Sequence, residues 1–325
     1  MKKLKMLVLL LTAIAMAFTC SFHASAAPAN ASYKYPITVE SDDWFDHTVL
    51  EKTEMLRIDN DKLKKMSSEE LVRAVGDFPY LVDIYVYDSL DTGIEMLKKN
   101  CDAFSELMLR KDGKAAMEKY GSKIIKELEC YPRKDGRSEF VAIALEDIIE
   151  ALEDTNDCMT VSTTAAKSVP YTPNHHLVPY KTYSETHTAN YHSVKDNEVV
   201  ATYDVTLVRN GSCKYNCHSY AWHSTASTNP YWINNPSIYM TDGSYILKHS
   251  GSVSTSINLW NASYNDKIYY ASNTHSAIFI DNPSNGAPLA TGMARSKWGQ
   301  LGVFNHTVVN VPSGYNYSTV SIWHR

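Results

Sequence analysis

Cys213-Lys214-Tyr215-Asn216-Cys217-His218-Ser219-Tyr220-Ala221-Trp222 is the stretch on which the reading of this chain turns. Tyr215 to Ser224 has the pattern of a short helix, and Cys217 stands where that helix opens. Unpaired main-chain amides and the helix dipole favour a thiolate there, and the thiolate is the nucleophilic form. A nucleophilic cysteine needs a base that is distant in sequence and near in space. Thr274-His275-Ser276-Ala277-Ile278-Phe279-Ile280 supplies one. Its histidine begins an apolar strand, placed to take the thiol proton and later protonate a leaving amine. Plainer readings stay open beside this one. Cys213 is an alternative nucleophile, or a disulfide partner of Cys217. Cys213 and Cys217 with His218 and His223 suggest zinc, but no second tight pair of ligands accompanies them. His275 can also be read as a satisfied strand histidine.

Outward from this stretch the composition is rich in Tyr, Thr, Ser, Asn and Val. Glu198 to Val208 alternates as a strand would, and Ile268 to Tyr270, Ser276 to Ile280 and Thr307 to Val311 also read as strands. Asn229-Pro230-Tyr231-Trp232-Ile233-Asn234-Asn235-Pro236 reads either as a cleft lining or as a packed loop. His175, His176, His187 and His192 fall in loop-like sequence and receive no role. A helix followed by strands makes the region α+β.

Here the chain resembles a family. Asn216 to Trp222 resembles the nucleophile helix of the NlpC-type and CHAP cysteine peptidases. Asn265-Asp266-Lys267-Ile268-Tyr269-Tyr270 is similar to the segment before their catalytic histidine, and His275 to Ile280 to the histidine strand. Arg295-Ser296-Lys297-Trp298-Gly299 resembles a later strand end. The resemblance covers residues 200–312 in order and spacing more than in identity. Asn265 replaces the usual glycine, and the loop from Asp281 to Ala290 is long. The resemblance implies a papain-like fold and mechanism, with cleavage of amide bonds in peptidoglycan peptides. It implies Cys217 as nucleophile and His275 as base, and a third polar residue that orients the imidazole. Ser296 and His306 are the two candidates for that third residue. No metal or cofactor is called for.

Further outward, Thr and Ser cluster from Thr160 to Thr164, and Pro170, Pro173 and Pro179 come next, so 156–180 reads as a linker. Before it, 61–155 has helical periodicity. Ser67 and Glu70 form a capping box ahead of Leu71, Val72 and Val75. Ile94, Leu97, Cys101, Phe104, Leu107 and Met108 recur at three- and four-residue spacing, as core positions do. Residues 27–60 read as an extended lead-in. The expected organisation is therefore an α+β protein, with a helical domain at 61–155 and a papain-like domain at 181–325, its nucleophile helix packed on a small antiparallel sheet.

Residues 1–26 read as a secretory signal. Lys2, Lys3 and Lys5 precede an apolar run from Met6 to Phe18, and Ala24-Ser25-Ala26 offers a cleavage site. The run is short for a membrane span. The expected product, 27–325, is secreted or wall-associated, with no nucleic-acid partner and no membrane attachment. Residues 27–158 carry 18 Lys/Arg against 29 Asp/Glu, a net of −11, whereas 159–325 carry 10 against 7, a net of +3. Opposite net charges suggest docking of the acidic helical domain on the other, although a solvated acidic surface explains them as well. Cys101, Cys130, Cys158, Cys213 and Cys217 lie beyond the signal. Their odd number leaves one thiol outside any intramolecular pairing in an oxidising compartment. A non-catalytic extracellular binding protein is the alternative to a hydrolase.

Overall fold

A computed structural model describes residues 33–130, 136–153, 169–282, 285–315 and 317–325. The expected signal segment and the whole Thr160–Thr164 cluster lie outside these residues, and so do 132–135, where Pro132 to Gly136 reads in the sequence as a break. No helix among the described residues is long and apolar enough to cross a membrane.

The first half is helical: α1 (Val49–Met55), α2 (Asn60–Lys65), α3 (Ser68–Gly76), α4 (Leu90–Asn100), α5 (Asp102–Met108), α6 (Gly113–Cys130) and α7 (Gly136–Leu152). The Ser67 hydroxyl accepts the Glu70 N–H and the Glu70 carboxylate accepts the Ser67 N–H, so the expected capping box closes the start of α3. Pro79 opens a 3₁₀ helix, Pro79–Tyr85. The extended lead-in is corrected, since 33–60 contains α1, held by a Thr48–Glu51 capping box, and the 3₁₀ turn Trp44–Asp46.

Glu198 to Val208 is not one strand. Helix α8 (Ala189–Thr202) starts with the Thr188 side chain accepting the Tyr191 N–H, and strand β1 covers only Thr206–Arg209. The alternation straddles a helix end and a strand start. His192 accordingly sits on α8, not in a loop. After the short α9 (Ser237–Thr241) come β2 (Ile246–Ser252), β3 (Lys267–Tyr270), β4 (Ser276–Phe279), β5 (Met293–Lys297), β6 (Val303–Thr307) and β7 (Thr319–His324). The strand expected over Thr307 to Val311 is β6, displaced toward the N-terminus. The seven strands form one sheet in the order β1-β6-β5-β4-β3-β7-β2, with antiparallel pairing throughout. The protein is thus α+β.

Both faces of the sheet are covered, which is why every residue of β4 is buried. Ala277 and Phe279 join a core shared with Leu71, Val75, Phe104 and Ile148 of the helices. Ile278 points the other way, as a pleated strand requires, into a cluster with Tyr220, Trp222, Tyr239 and Tyr245. The expected boundary at 156–180 therefore separates two stretches of sequence that fill one core. Polar contacts stitch them further. Trp44 Nε1 donates to Thr202 O (2.8 Å), the Tyr203 hydroxyl to Asp83 (2.8 Å), and the Tyr191 hydroxyl to Asp147 (2.6 Å). An ion pair that crosses, Arg137–Glu198, has the polarity opposite to the net charges of the two halves. The halves meet through apolar burial and hydrogen bonds more than through bulk charge.

Candidate active site

Asn216 caps the helix that Cys217 opens. Its Oδ1 accepts the Ser219 N–H (3.1 Å) and the Ile233 N–H (3.3 Å), and its Nδ2 donates to Ile233 O (2.8 Å). The helix widens to π geometry over Ser219–His223, where the Ser224 N–H reaches back five residues to Ser219 O (3.0 Å). Such widened turns recur at functional sites. This one lets Trp222 Nε1 donate to Ser276 Oγ (2.8 Å), which also bonds His218 Nδ1 (2.8 Å). The helix thereby docks on the first residue of β4, immediately after His275.

Cys217 is a free thiol, 5% exposed, and its sulfur accepts main-chain N–H groups of Ser276 and His218. The expected thiolate is not the form this environment favours. Burial pushes the thiol up to about 12, and the nearby Asp88 carboxylate adds to the rise. A helix this short has a weak dipole, and desolvation of the charged form outweighs it.

His275 is 0% exposed. Burial, with His306 and His218 as neighbours, holds its pKa well below the ordinary value, so the ring is neutral near pH 7. Among the described residues neither ring nitrogen has a hydrogen-bond partner, Cys217 included. The ring instead stacks on Tyr315 and meets the edge of Tyr270. Tyr270 and Tyr315, the two rings packed on the imidazole, also lie within electrostatic reach of Cys217.

Ser296 and His306, the two candidates for the third residue, are bonded to each other. Ser296 Oγ lies 2.7 Å from His306 Nε2, and His306 Nδ1 lies 2.8 Å from Thr307 O. With Nδ1–H donating to that carbonyl, Nε2 accepts the serine hydroxyl, and Trp298 Nε1 donates to Ser296 Oγ (3.0 Å). The pair adjoins His275 without bonding it. The aromatic side chains of the stretch 229–236 pack inside: Tyr231, Trp232 and Ile233 are buried, and Trp232 Nε1 donates to Asp88 (3.2 Å), while Pro230, Asn234 and Asn235 are exposed.

Comparison with family models, curated proteins and solved structures finds no match. The chemistry rests on the geometry.

The residues suggested for zinc are not one cluster. His218 is taken up by Ser276 and the Asn273 main chain, and His223 by Tyr239 and the Tyr231 ring. Among the described residues, the group with ligand atoms close enough for a metal is Glu185, His192 and Cys213, within 4.8 Å of one another. Its ligand atoms are largely engaged with one another, and His192 Nδ1 has no partner among the described residues. Glu185 accepts from His192 Nε2 (3.0 Å) and from the Cys213 N–H (3.0 Å). Burial opposes its ionisation, but these bonds outweigh that and hold its carboxyl at about 2. The buried Lys297 ammonium faces both Cys213 and Glu185 while donating to Ser212 O (3.0 Å) and Gly299 O (2.6 Å). Burial brings its pKa down to about 8.

Asp88, Ser276, Lys297 and Tyr315 are not singled out by the sequence. Asp88 and Tyr315 come from distant parts of the chain and carry no local motif. Ser276 and Lys297 lie within the motif segments, but only a docked helix shows what they bond.

Proposed function

We propose that this chain is a secreted cysteine hydrolase of papain-like design that cleaves amide bonds in peptidoglycan peptides. The observation that carries the reading is the docking of the helix-opening Cys217 on Ser276, the residue that follows His275. In this reading the neutral His275 imidazole takes the thiol proton as sulfur attacks the substrate carbonyl. It returns that proton to the departing amine, and water then releases the acyl group from the thioester. Ser296 and His306 are proposed to support the imidazole as a bonded pair. Secretion rests on the sequence of residues 1–26. The helical half is proposed to shape access to the site, since Asp88 reaches Asn216 Nδ2 (3.4 Å) and Trp232 beside the thiol. The test is mass spectrometry of fragments released from purified peptidoglycan by wild type and Cys217→Ala. Equal release by both overturns the reading.

A second reading, a non-catalytic binding protein, is favoured by one observation: a buried thiol pushed up to about 12 with no bond to the imidazole. Thiol labelling at neutral pH in the presence of peptidoglycan fragments separates the two. Substrate-enhanced labelling of Cys217 supports the hydrolase, and an inert thiol supports the binder.

A further inference from the structure

An imidazole that takes a proton from one atom and gives it to another must be held in one orientation. A hydrogen bond to its second nitrogen ordinarily does this. Among the described residues His275 has no such bond. What fixes its ring is carbon. The Tyr315 ring lies parallel to it at 3.9 Å between centroids, 6° from coplanar, and Tyr270 closes its edge at 5.1 Å. Tyr315 is itself immobilised and 2% exposed. Its hydroxyl donates to Val86 O (2.9 Å), its N–H to Pro312 O (2.9 Å), and its carbonyl accepts the Thr274 hydroxyl (2.6 Å), one residue before His275. Val86 is anchored in turn, because Gln300 N–H donates to the adjacent Tyr85 O (3.0 Å). Gly299, at φ +50°, passes so close that an added Cβ would run into Tyr85 O.

We propose that Tyr315 is the positioning residue for His275: its ring face sets the plane of the imidazole. The inference rests on the proposed roles of Cys217 and His275. The ring face is the operative part, so phenylalanine substitutes for tyrosine and an aliphatic side chain does not. Removing the face also admits water to a ring that burial keeps neutral. The titratable groups that face it are His218, His306, Tyr270 and Tyr315, with Cys217 and Asp88 acting on Tyr315 from behind. Hydration therefore raises the His275 pKa toward its ordinary value, and the acidic limb of activity moves to higher pH.

The experiment compares full-length secreted wild type, Tyr315→Leu and Tyr315→Phe, with Cys217→Ala as control, on purified peptidoglycan. His275 is followed in parallel by NMR titration of its ring proton. Tyr315→Leu is expected to lower kcat by about 100-fold with KM little changed, the loss typical of a misplaced catalytic group. Its acidic limb and its His275 titration should both move upward. Tyr315→Phe should keep the wild-type profile. If Tyr315→Leu does not fold, Tyr315→Met, flexible and without a flat face, replaces it. A folded aliphatic variant with the wild-type kcat and titration overturns the inference, as does a Phe variant as impaired as Leu. Activity that survives in Cys217→Ala overturns the hydrolase reading instead. The NMR titration still decides the role of Tyr315 in that case.

Discussion

Cys213 and Cys217 are four residues apart, both buried, and in opposite circumstances. Around Cys213 most polar groups are paired: Glu185 with His192 Nε2 and the Cys213 N–H, Lys297 with carbonyls, and the sulfur 3.9 Å from Gln300 Oε1, while His192 Nδ1 has no partner among the described residues. Around Cys217 the groups are the main-chain amides of His218 and Ser276 and the charges of Asp88 and Lys297, and His275, next to Ser276 in the chain, has two unpartnered nitrogens among the described residues. Buried polar groups without partners cost stability, on the order of 1–3 kcal/mol each, and His275 carries two such nitrogens against one on His192. The contrast teaches that a Cys, His and Glu cluster is tied up where its members bond one another, whereas an imidazole with neither nitrogen bonded is held by packing alone.

The sharpest break of this comparison is in activity. Cys217→Ser is expected to lower peptidoglycan hydrolysis by about 10³-fold or more with the fold intact by circular dichroism, because nucleophile and base act as a unit. Cys213→Ser should keep activity within a few-fold. If both lose equally, the distinction between the two thiols fails. The histidines should then divide the same way. His275→Ala is expected to lose about 10²- to 10⁴-fold in rate, the range for a general base. His192→Ala should instead lower the unfolding free energy by about 1–3 kcal/mol, since it leaves the Glu185 carboxylate short of a donor. Denaturant titration beside rate measurement tells the two outcomes apart.

A smaller difference appears in the response to pH. The Glu185 carboxyl is held below its unfolded value, so its contribution is present above about pH 4.5 and is lost as pH falls toward about 2. Glu185→Gln should flatten that part of the thermal stability curve. The Cys217 thiol is held above its unfolded value, so its contribution is present below about pH 9 and is lost as pH rises toward about 12. Cys217→Ala should flatten the alkaline side. If the two variants leave both sides unchanged, the environments are not opposite in the way described. The smallest effect is that of Asp88→Asn. Removing one neighbouring charge should speed labelling of Cys217 by about threefold and leave Cys213 alone. Quantitative mass spectrometry of alkylated peptides reads both.

Much of this arrangement is legible in the sequence, and the rest is not, for definite reasons. The Ser67–Glu70 cap, the helices through 61–152, the helix opening at Cys217 and the strands on either side of His275 are local patterns, and local patterns survive folding. Strand β2 is hidden because it is an edge strand, mostly exposed, and shows no alternation between faces; β7, its neighbour, is not announced by any motif. The shared core is hidden because a Ser/Thr- and Pro-bearing stretch looks like a domain linker whether or not the halves touch. The closure of the site is hidden for the same kind of reason. The proximity of Asp88 to Cys217, and of Val86 to Tyr315, depends on contacts across 129 and 229 residues, which no periodicity encodes.

The π-helical turn at Ser219–His223 makes the length of this segment as consequential as its composition. A widened turn holds one residue more than an α-helical turn needs, and each residue rotates the chain beyond it by about 100° around the helix axis. Deleting one residue within the turn would let it relax to α geometry and swing Trp222 off Ser276, undocking the helix from β4 without touching any residue of the site. In a gene of this kind, a three-base deletion here would resemble a catalytic mutation in its effect while leaving every side chain assigned to catalysis in place.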